Sequence, residues 1–566
     1  MIERVEVMRG GGSALFGSSA IAGTINIITK EPLRNSGQLS HTITSLGGSS
    51  SFDNNTSLNA SLVTDDHRAG LYIFGQNRYR SGYDYDGDGF TELPKLKNQT
   101  VGFRSYLKTS TYSKLTFEYH HMQEFRRGGD MLDRPPHEAH IAEQLQHSID
   151  GGSLKFDYFS PDEKNRLSIF ASAANTDRDS YYGPGNDPLK AYGKTTDLTA
   201  MGGAQYVHTF DKCFFMPSDL TAGLEYNRDR LKDNMWGYNR HTDQTVNIYS
   251  AFLQNEWKND RWGILIGGRL DKHNMVDNVI FSPRANLRFN PTQNINLRLS
   301  YSSGFRAPQA FDEDMHIENV GGTVAMIERA KDLKEEKSQS FSASADMYHR
   351  FGAFQTNLLI EGFYTRLTDV FVLGEPYDRG DGILVKTRSN GPGAKVMGLT
   401  LEGKVAYLSI LQIQAGLTLQ RSRYDEPHKW HDDAPAEKKI FRTPDTYGYF
   451  TATCTPIKPL SIALSGTYTG RMLVQRMDIT AENAELGAMP ERKAEAIRTP
   501  RFFDLGVKLA YDFKLYKTVD LQLNGGVQNL FESYQKDFDR GANRDSGYIY
   551  GPSLPRSFFA GVKISY

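Results

Sequence analysis

Cysteine is nearly absent from this chain, with two in 566 residues, Cys213 and Cys454. Two cysteines so far apart exclude a disulfide scaffold and a metal-binding spacing. An excess of either charge is missing too: Lys+Arg is 66 and Asp+Glu is 67. A balanced chain offers no basic face, so no nucleic-acid partner is expected. Long apolar runs are also lacking. Mean hydropathy is −0.53, and no stretch approaches the roughly 18 apolar residues of a membrane-spanning helix. No G-x-S-x-G stands in a nucleophile-elbow context, and no enzyme is expected. The opening residues, MIERVEVMRG, lack the basic start, apolar run and small-residue cleavage site of a secretion signal.

Tyrosine, phenylalanine and glycine are abundant, at 30, 32 and 52. From about residue 35, segments of roughly ten residues alternate apolar and polar, separated by turn residues. Phe558, Ala560, Val562, Ile564 and Tyr566 fall on one face, and Ser557, Gly561, Lys563 and Ser565 on the other. Leu460, Ile462 and Leu464 oppose Ser461, Ala463 and Ser465 in the same way. A period of 2 makes one strand face apolar and the other polar. About 22 such segments follow one another, starting near 37, 53, 68, 100, 114, 148, 165, 198, 219, 245, 261, 282, 295, 338, 353, 395, 410, 446, 460, 502, 518 and 556. Connections after even-numbered segments are short, as at 110–112 and 456–459. Most after odd-numbered segments are long, as at 82–98, 126–147, 177–197, 306–337, 422–442, 471–501 and 534–555. Short turns on one rim and long loops on the other suit an outer-membrane barrel. No internal repeat of propeller length is present. The expected fold is all-β: a 22-stranded antiparallel transmembrane β-barrel over 35–566, with Leu460, Ile462, Leu464, Val562 and Ile564 facing lipid.

Residues 2–30 break the pattern and read IERVEVMRGGGSALFGSSAIAGTINIITK. This strongly resembles the C-terminal end of the plug domain of TonB-dependent outer-membrane receptors, with Gly11 where the family usually has proline and Ala22 where it often has glycine. Phe305-Arg306-Ala307-Pro308 resembles the box opening a large extracellular loop in that family, and Asp332-Leu333-Lys334-Glu335-Glu336 the segment closing it. Asn529-Leu530-Phe531-Glu532 and Tyr534 resemble its penultimate-strand region, and the terminal Tyr566 its assembly signal. The resemblance implies residues 1–34 as the C-terminal part of a plug domain inside the barrel, in the cell outer membrane of a Gram-negative bacterium, in contact with outer-membrane lipid. It implies energised uptake, coupled to TonB, of a scarce ligand such as a corrinoid, haem or ferric siderophore, with a surface lipoprotein as a possible docking partner. Most of a plug, the TonB box and a signal peptide do not precede residue 1, so the chain looks like a fragment. The competing expectation is an ungated pore.

Two candidate sites stand out. Asp84, Asp86 and Asp88 alternate in DYDGDGFTE and are followed by Gly89 and Glu92. This matches the first half of an EF-hand loop, with Lys95 where the final glutamate would stand, and makes Asp84, Asp86, Asp88 and Glu92 a candidate Ca²⁺ loop. The alternative is a solvated acidic loop tip. Resemblance to cobalamin receptors places a calcium loop in this region. His316, between the Phe305–Pro308 box and Asp332, resembles the haem-contacting histidine of haem receptors and is the candidate ligand contact. His137, His140, His428 and His431 also fall in expected loops, with solvated side chains as the ordinary alternative. The loop 474–498 has a short helical flavour.

Overall fold

The computed structural model describes residues 2–184, 191–310, 315, 318–320, 323–380, 384–431, 433–479, 492–542 and 544–566. Its closed sheet contains Ser36–Ser45 at one end of the order and Ser557–Ser565 at the other, and these two pair to seal it, with Leu39 opposite Ile564. Of the 23 strands in the sheet, one is the three-residue piece Glu437–Lys439 attached to Leu411–His428, which leaves 22 that cross. Each crossing strand corresponds to one alternating segment of the sequence. All of these pairings are antiparallel, and closure leaves no edge with unpaired backbone groups. No described helix is long and apolar enough to cross a membrane; here the strands do so.

The register places the apolar stripes on one continuous surface. Ile462 lies opposite Leu509, Leu464 opposite Val507, and Leu523 opposite Val562. Leu224, Leu253, Ile266, Leu299 and Leu509 are each more than half exposed. An apolar surface of that extent belongs against lipid. The opposite face carries the polar partners and encloses residues 2–34, so it is the lumen. Leu460, Ile462, Leu464, Val562 and Ile564 therefore share the outward face, and Ser461 and Lys563 the inward one. The buried apolar clusters lie under the long loops: Tyr182, Met235, Tyr238 and Met326 form one, and Met472, Val474, Phe502, Tyr548 and Tyr550 another.

The connections separate by rim. One rim carries the turns 111–112, 214–215, 293–294, 352–353, 458–459 and 517–518, and the other the segments 81–94, 307–335, 369–393, 429–445 and 529–556. Two expectations need correction. Ser113–Gly129, Ile141–Phe159, Asn165–Pro184 and Tyr192–Cys213 run far into what the sequence marked as the loops 126–147 and 177–197. The ladder continues there above the membrane, where apolar and polar residues are buried side by side under the loops, Tyr181 and Tyr182 next to Arg178 and Ser180, so the alternation fades although the hydrogen bonds persist. The second concerns the ends of 474–498: Leu473–Ile479 and Arg492–Arg498 pair as antiparallel strands, with Val474 opposite Ile497, while residues 480–491, which hold most of the stretch with helical flavour, lie outside the described residues. At Ala494, Glu495 and Ala496 the helical propensity is weak, and burial of Val474 and Ala494 favours the paired strands.

Candidate functional site

Ile2–Arg9 and Gly23–Thr29 pair as an antiparallel hairpin, joined through the one-turn helix Ser13–Phe16. The segment is fastened to the lumen wall. Arg9 donates to Glu361 at 2.9 Å and to Glu402 at 3.1 Å, on neighbouring strands. The Gly11 amide donates to Ser340 Oγ at 3.0 Å, and the Phe305 amide to Ser13 Oγ at 3.0 Å. A Cβ on Gly11 would lie 2.7 Å from the Ser303 carbonyl carbon, and proline there would also lack the donated N–H. Below the chain's exit from the lumen, Lys114 donates to Glu31 at 2.9 Å. A cavity of about 450 Å³ remains beside the hairpin, lined in part by Arg9, Arg284, Arg298, Asp346, Glu361 and Glu402.

On the long-loop rim the acidic segment 82–94 meets the last loop, 529–556. Asp84, Asp86 and Asp88 converge, each with a carboxylate oxygen within 4.8 Å of the others. Asp84 accepts from the Gly87 and Gly89 amides at 2.7 and 2.8 Å. Gly87 and Gly89 have φ of +73° and +90°, the left-handed turns that fold the run back on itself. Glu92 is not brought to this group. Its carboxylate takes the Tyr85 amide at 2.6 Å and Arg544 Nη1 at 2.9 Å. Arg544 Nη2 donates to Asp88 at 2.6 Å, and Arg540 lies 3.3 Å from Asp86. Much of the compensation for the clustered carboxylates thus comes from arginines more than 450 positions away. Burial, then the neighbouring Asp88 charge, raises the Asp86 carboxyl. Burial would raise Asp88 as well, but the Gly541 and Phe90 amides and Arg544 hold it below the usual range. Burial dominates at Glu92 and raises its carboxyl.

A second cavity of about 450 Å³ opens among the loops, lined by Lys386, Tyr424, His428, Trp430, Arg442 and Arg476, among others. Arg442 donates to the Ile549 carbonyl at 2.8 Å and also to that of Gly547. Arg476 holds Asp539 at 2.6 Å and lies over the Tyr548 ring at 5.0 Å. Burial, helped by the Asp537 contact, pushes the Tyr548 hydroxyl up to about 12. Burial lowers His428. The other expected histidines are partnered: His140 with Asp130 at 2.6 Å, His137 with the Tyr192 hydroxyl at 2.9 Å, and His431 with Asp433 at 3.7 Å. His316 lies outside the described residues. Sequence reasoning missed Arg9, Glu361, Glu402, Arg540, Arg544, Arg442 and Arg476 as site residues, and no local spacing pattern marks any of them.

A family model described as TonB dependent receptor-like, beta-barrel, matches residues 25–530. The chain belongs to the TonB-dependent receptors. It is an outer-membrane β-barrel of that family. Its curated relatives include the iron-regulated outer membrane virulence protein of Vibrio cholerae serotype O1, 27% identical over 322 residues, which are 54% of this chain and 45% of that protein. The same protein from a second strain is 26% identical over 54% of this chain and 45% of its own length. The chain thus spans about half the length of the curated relatives it matches. Among solved structures, the siderophore receptor PirA from Acinetobacter baumannii superposes with a TM-score of 0.77 at 17% identity, covering 100% of this chain and 85% of that one. A variant of the ferric enterobactin receptor PfeA from Pseudomonas aeruginosa gives 0.75 at 17% identity, with the same coverages. At such identities the likeness is one of fold, and the receptor architecture extends over the whole chain.

Proposed function

We propose that this TonB-dependent receptor takes up a ferric siderophore, in an energised step coupled to TonB. The observation that carries the reading is the loop cavity, where Arg442, Arg476 and Lys386 stand beside Trp430 and Tyr424. Cations beside aromatic faces suit an anionic ligand with flat, polarisable groups. The iron-regulated relatives and the siderophore-receptor neighbours support iron over a corrinoid. Haem would rest on His316, which the described residues do not include. In this reading residues 1–34 are the C-terminal part of a plug, and the Arg9 contacts are those a pulling force must break. A lumen with this segment fastened across it does not favour an ungated pore. A surface lipoprotein partner has no support beyond the long loops themselves.

The test is titration of the protein with a ferric catecholate, a ferric hydroxamate, haem and cobalamin, read by tryptophan fluorescence. A ferric siderophore should bind most tightly, and Arg442→Gln should weaken it about tenfold, the loss of one charge-assisted contact. Preference for haem or cobalamin would overturn the reading. Calcium is proposed as an accessory ion at Asp84, Asp86 and Asp88, without Glu92. Arg540 and Arg544 compete for the same carboxylates, so wild-type affinity should be weak and Arg544→Gln should tighten it. Calcium titration that leaves both proteins unchanged would leave only an arginine-compensated loop.

A further inference from the structure

Two neighbouring strands, Ile280–Thr292 and Ile295–Arg306, turn three arginines towards the lumen. Their outward residues are apolar: Leu287 pairs with Leu299 and Phe289 with Leu297. The alternate positions, Arg284, Asn286 and Arg288 on one strand and Arg298, Ser300 and Ser302 on the other, therefore face inward. Arg288 stands directly opposite Arg298, and Arg284 opposite Ser302. Like charges directly across a ladder repel. Among the described residues, none of the three arginines has an ion-pair partner. Their hydrogen bonds go to neutral groups. Arg288 donates to the Asn259 carbonyl at 3.0 Å and Arg298 to Asn296 Oδ1 at 2.7 Å. The Asn286 amide, oriented to satisfy both neighbours, accepts from Arg284 Nη2 at 3.1 Å and donates to Ser300 Oγ at 3.2 Å.

The cavity of about 450 Å³ beside the hairpin opens onto this group. Arg284, Arg298 and the hydroxyls of Ser300, Ser302, Ser342 and Ser344 line it, as do Met8 and Leu15 of the enclosed segment. The carboxylates of the same cavity are engaged elsewhere. Asp346 takes the Tyr348 hydroxyl at 2.9 Å and the Asn357 amide, while Glu361 and Glu402 hold Arg9. Other lumen cations are matched: Arg78 with Asp53 at 2.6 Å, Arg104 with Glu118 at 3.1 Å, and Arg269 with Glu225 at 2.6 Å. The unmatched charge is thus concentrated on one stretch of wall. It extends from the enclosed hairpin to the turn 259–261 on the short-turn rim, where Arg288 is tied.

We propose that Arg284, Arg288 and Arg298 form an anion-binding station on the lumen wall, which holds an anionic ferric chelate between the loops and the short-turn rim. The inference rests on the reading of the loop cavity as the capture site of a ferric siderophore. Catecholate or carboxylate oxygens of the chelate take the guanidinium N–H groups and the serine hydroxyls, and its charge relieves the repulsion between Arg288 and Arg298. The station stands on rigid strand, and its cavity shares no lining residue with the loop cavity, so the two sites can be emptied separately.

The test uses the full chain in mild detergent, with modification of each arginine by phenylglyoxal followed by mass spectrometry. The probes are the trianionic ferric tris-catecholate complex and the uncharged ferric tris-acetohydroxamate complex. An excess of the trianionic complex should slow modification of Arg298 about tenfold, as one charge-assisted contact allows. The uncharged complex should not, and Arg68, exposed in another turn of the same rim, should react equally throughout. Arg284→Gln should raise the concentration for half-protection of Arg298 about tenfold, while Arg284→Lys keeps most of the protection. Removal of one of three like charges should leave melting no lower than in wild type. Arg442→Gln/Arg476→Gln should leave Arg298 protected. Tryptophan fluorescence reads the loop cavity separately: quenching without protection of Arg298 sinks the station alone, and protection without quenching sinks the loop reading alone. Equal protection of Arg298 by the two complexes in wild type would overturn the proposal without any variant needing to fold. So would an unchanged half-protection concentration in Arg284→Gln.

Discussion

Arg544→Ala should open the acidic loop and leave the barrel intact. The guanidinium bonds Asp88 at 2.6 Å and Glu92 at 2.9 Å, donates to the Gly541 carbonyl at 3.1 Å and lies 4.9 Å from the Phe90 ring centre. The side chains of Arg544, Asp88 and Glu92 are 13%, 8% and 1% exposed, so solvent cannot fully replace the lost partner. Breaking a fully buried pair from one side costs about 3–5 kcal/mol. Here both carboxylates keep backbone donors: Phe90 and Gly541 for Asp88, Tyr85 for Glu92. About 2–3 kcal/mol is then the expected loss. That figure applies to a local opening, because none of these groups belongs to the barrel ladder. Converted at 1.36 kcal/mol per decade, it is about a 30- to 160-fold rise in the open population. Hydrogen exchange in detergent reads this directly at the amides of Tyr85, Phe90 and Gly541, while the amide of Leu464 serves as the barrel control. A change under about threefold at the loop amides would refute the reasoning. An equal acceleration at Leu464 would do so as well, since it would mean that the tether supports the barrel.

Three further outcomes follow from the same geometry. The Asp88 carboxyl is depressed in the fold, so its contribution is complete above the ordinary aspartate value of about 3.9 and is lost as pH falls through the lower folded value; the difference in loop protection factor between wild type and Asp88→Asn should be the same at pH 7 and pH 5 and shrink only below about pH 4, and a difference already lost at pH 5 would contradict the assignment. Leu464→Lys places a charge on the lipid face and should cost about 2–4 kcal/mol in barrel unfolding, whereas Ser465→Lys, facing the lumen, should cost less than about 1; equal costs would mean the register is wrong. Arg9→Gln leaves Glu361 and Glu402 without the cation between them and should speed exchange of the Ile2–Arg9 amides at least tenfold, with barrel melting unchanged; protection equal to wild type would show that the latch does not hold the hairpin.

The barrel was legible in the sequence because its information is local. A strand's side chains alternate with period 2, so each crossing segment states which of its faces meets lipid, as Leu460, Ile462 and Leu464 do. The short turn at 458–459 and the long segment 470–501 then state which rim is which. The same locality explains the misreadings. Where Asn165–Pro184 and Tyr192–Cys213 rise above the membrane, loops rather than lipid cover them, as at Arg178, Tyr181 and Tyr182, so alternation no longer carries a hydrophobic signal and the ladder is invisible without its partner strand. At 492–498, intrinsic propensity suggested helix, and pairing with Leu473–Ile479 made a strand. Asp84, Asp86 and Asp88 were recognisable as a group because turn geometry brings alternate positions together, but what neutralises them was not. Arg544 reaches Asp88 only because closure of the sheet sets the first and last long loops side by side. Arg9 meets Glu361 and Glu402 only because the chain's first segment lies inside the cylinder formed by the rest. Arg288 and Arg298 are ordinary charges in one dimension, and stand face to face only because the pairing of Leu287 with Leu299 sets their register. A periodic pattern determines which way a side chain points; which distant group it meets is decided by closure, because that contact is a property of two strands' register and of neither sequence alone.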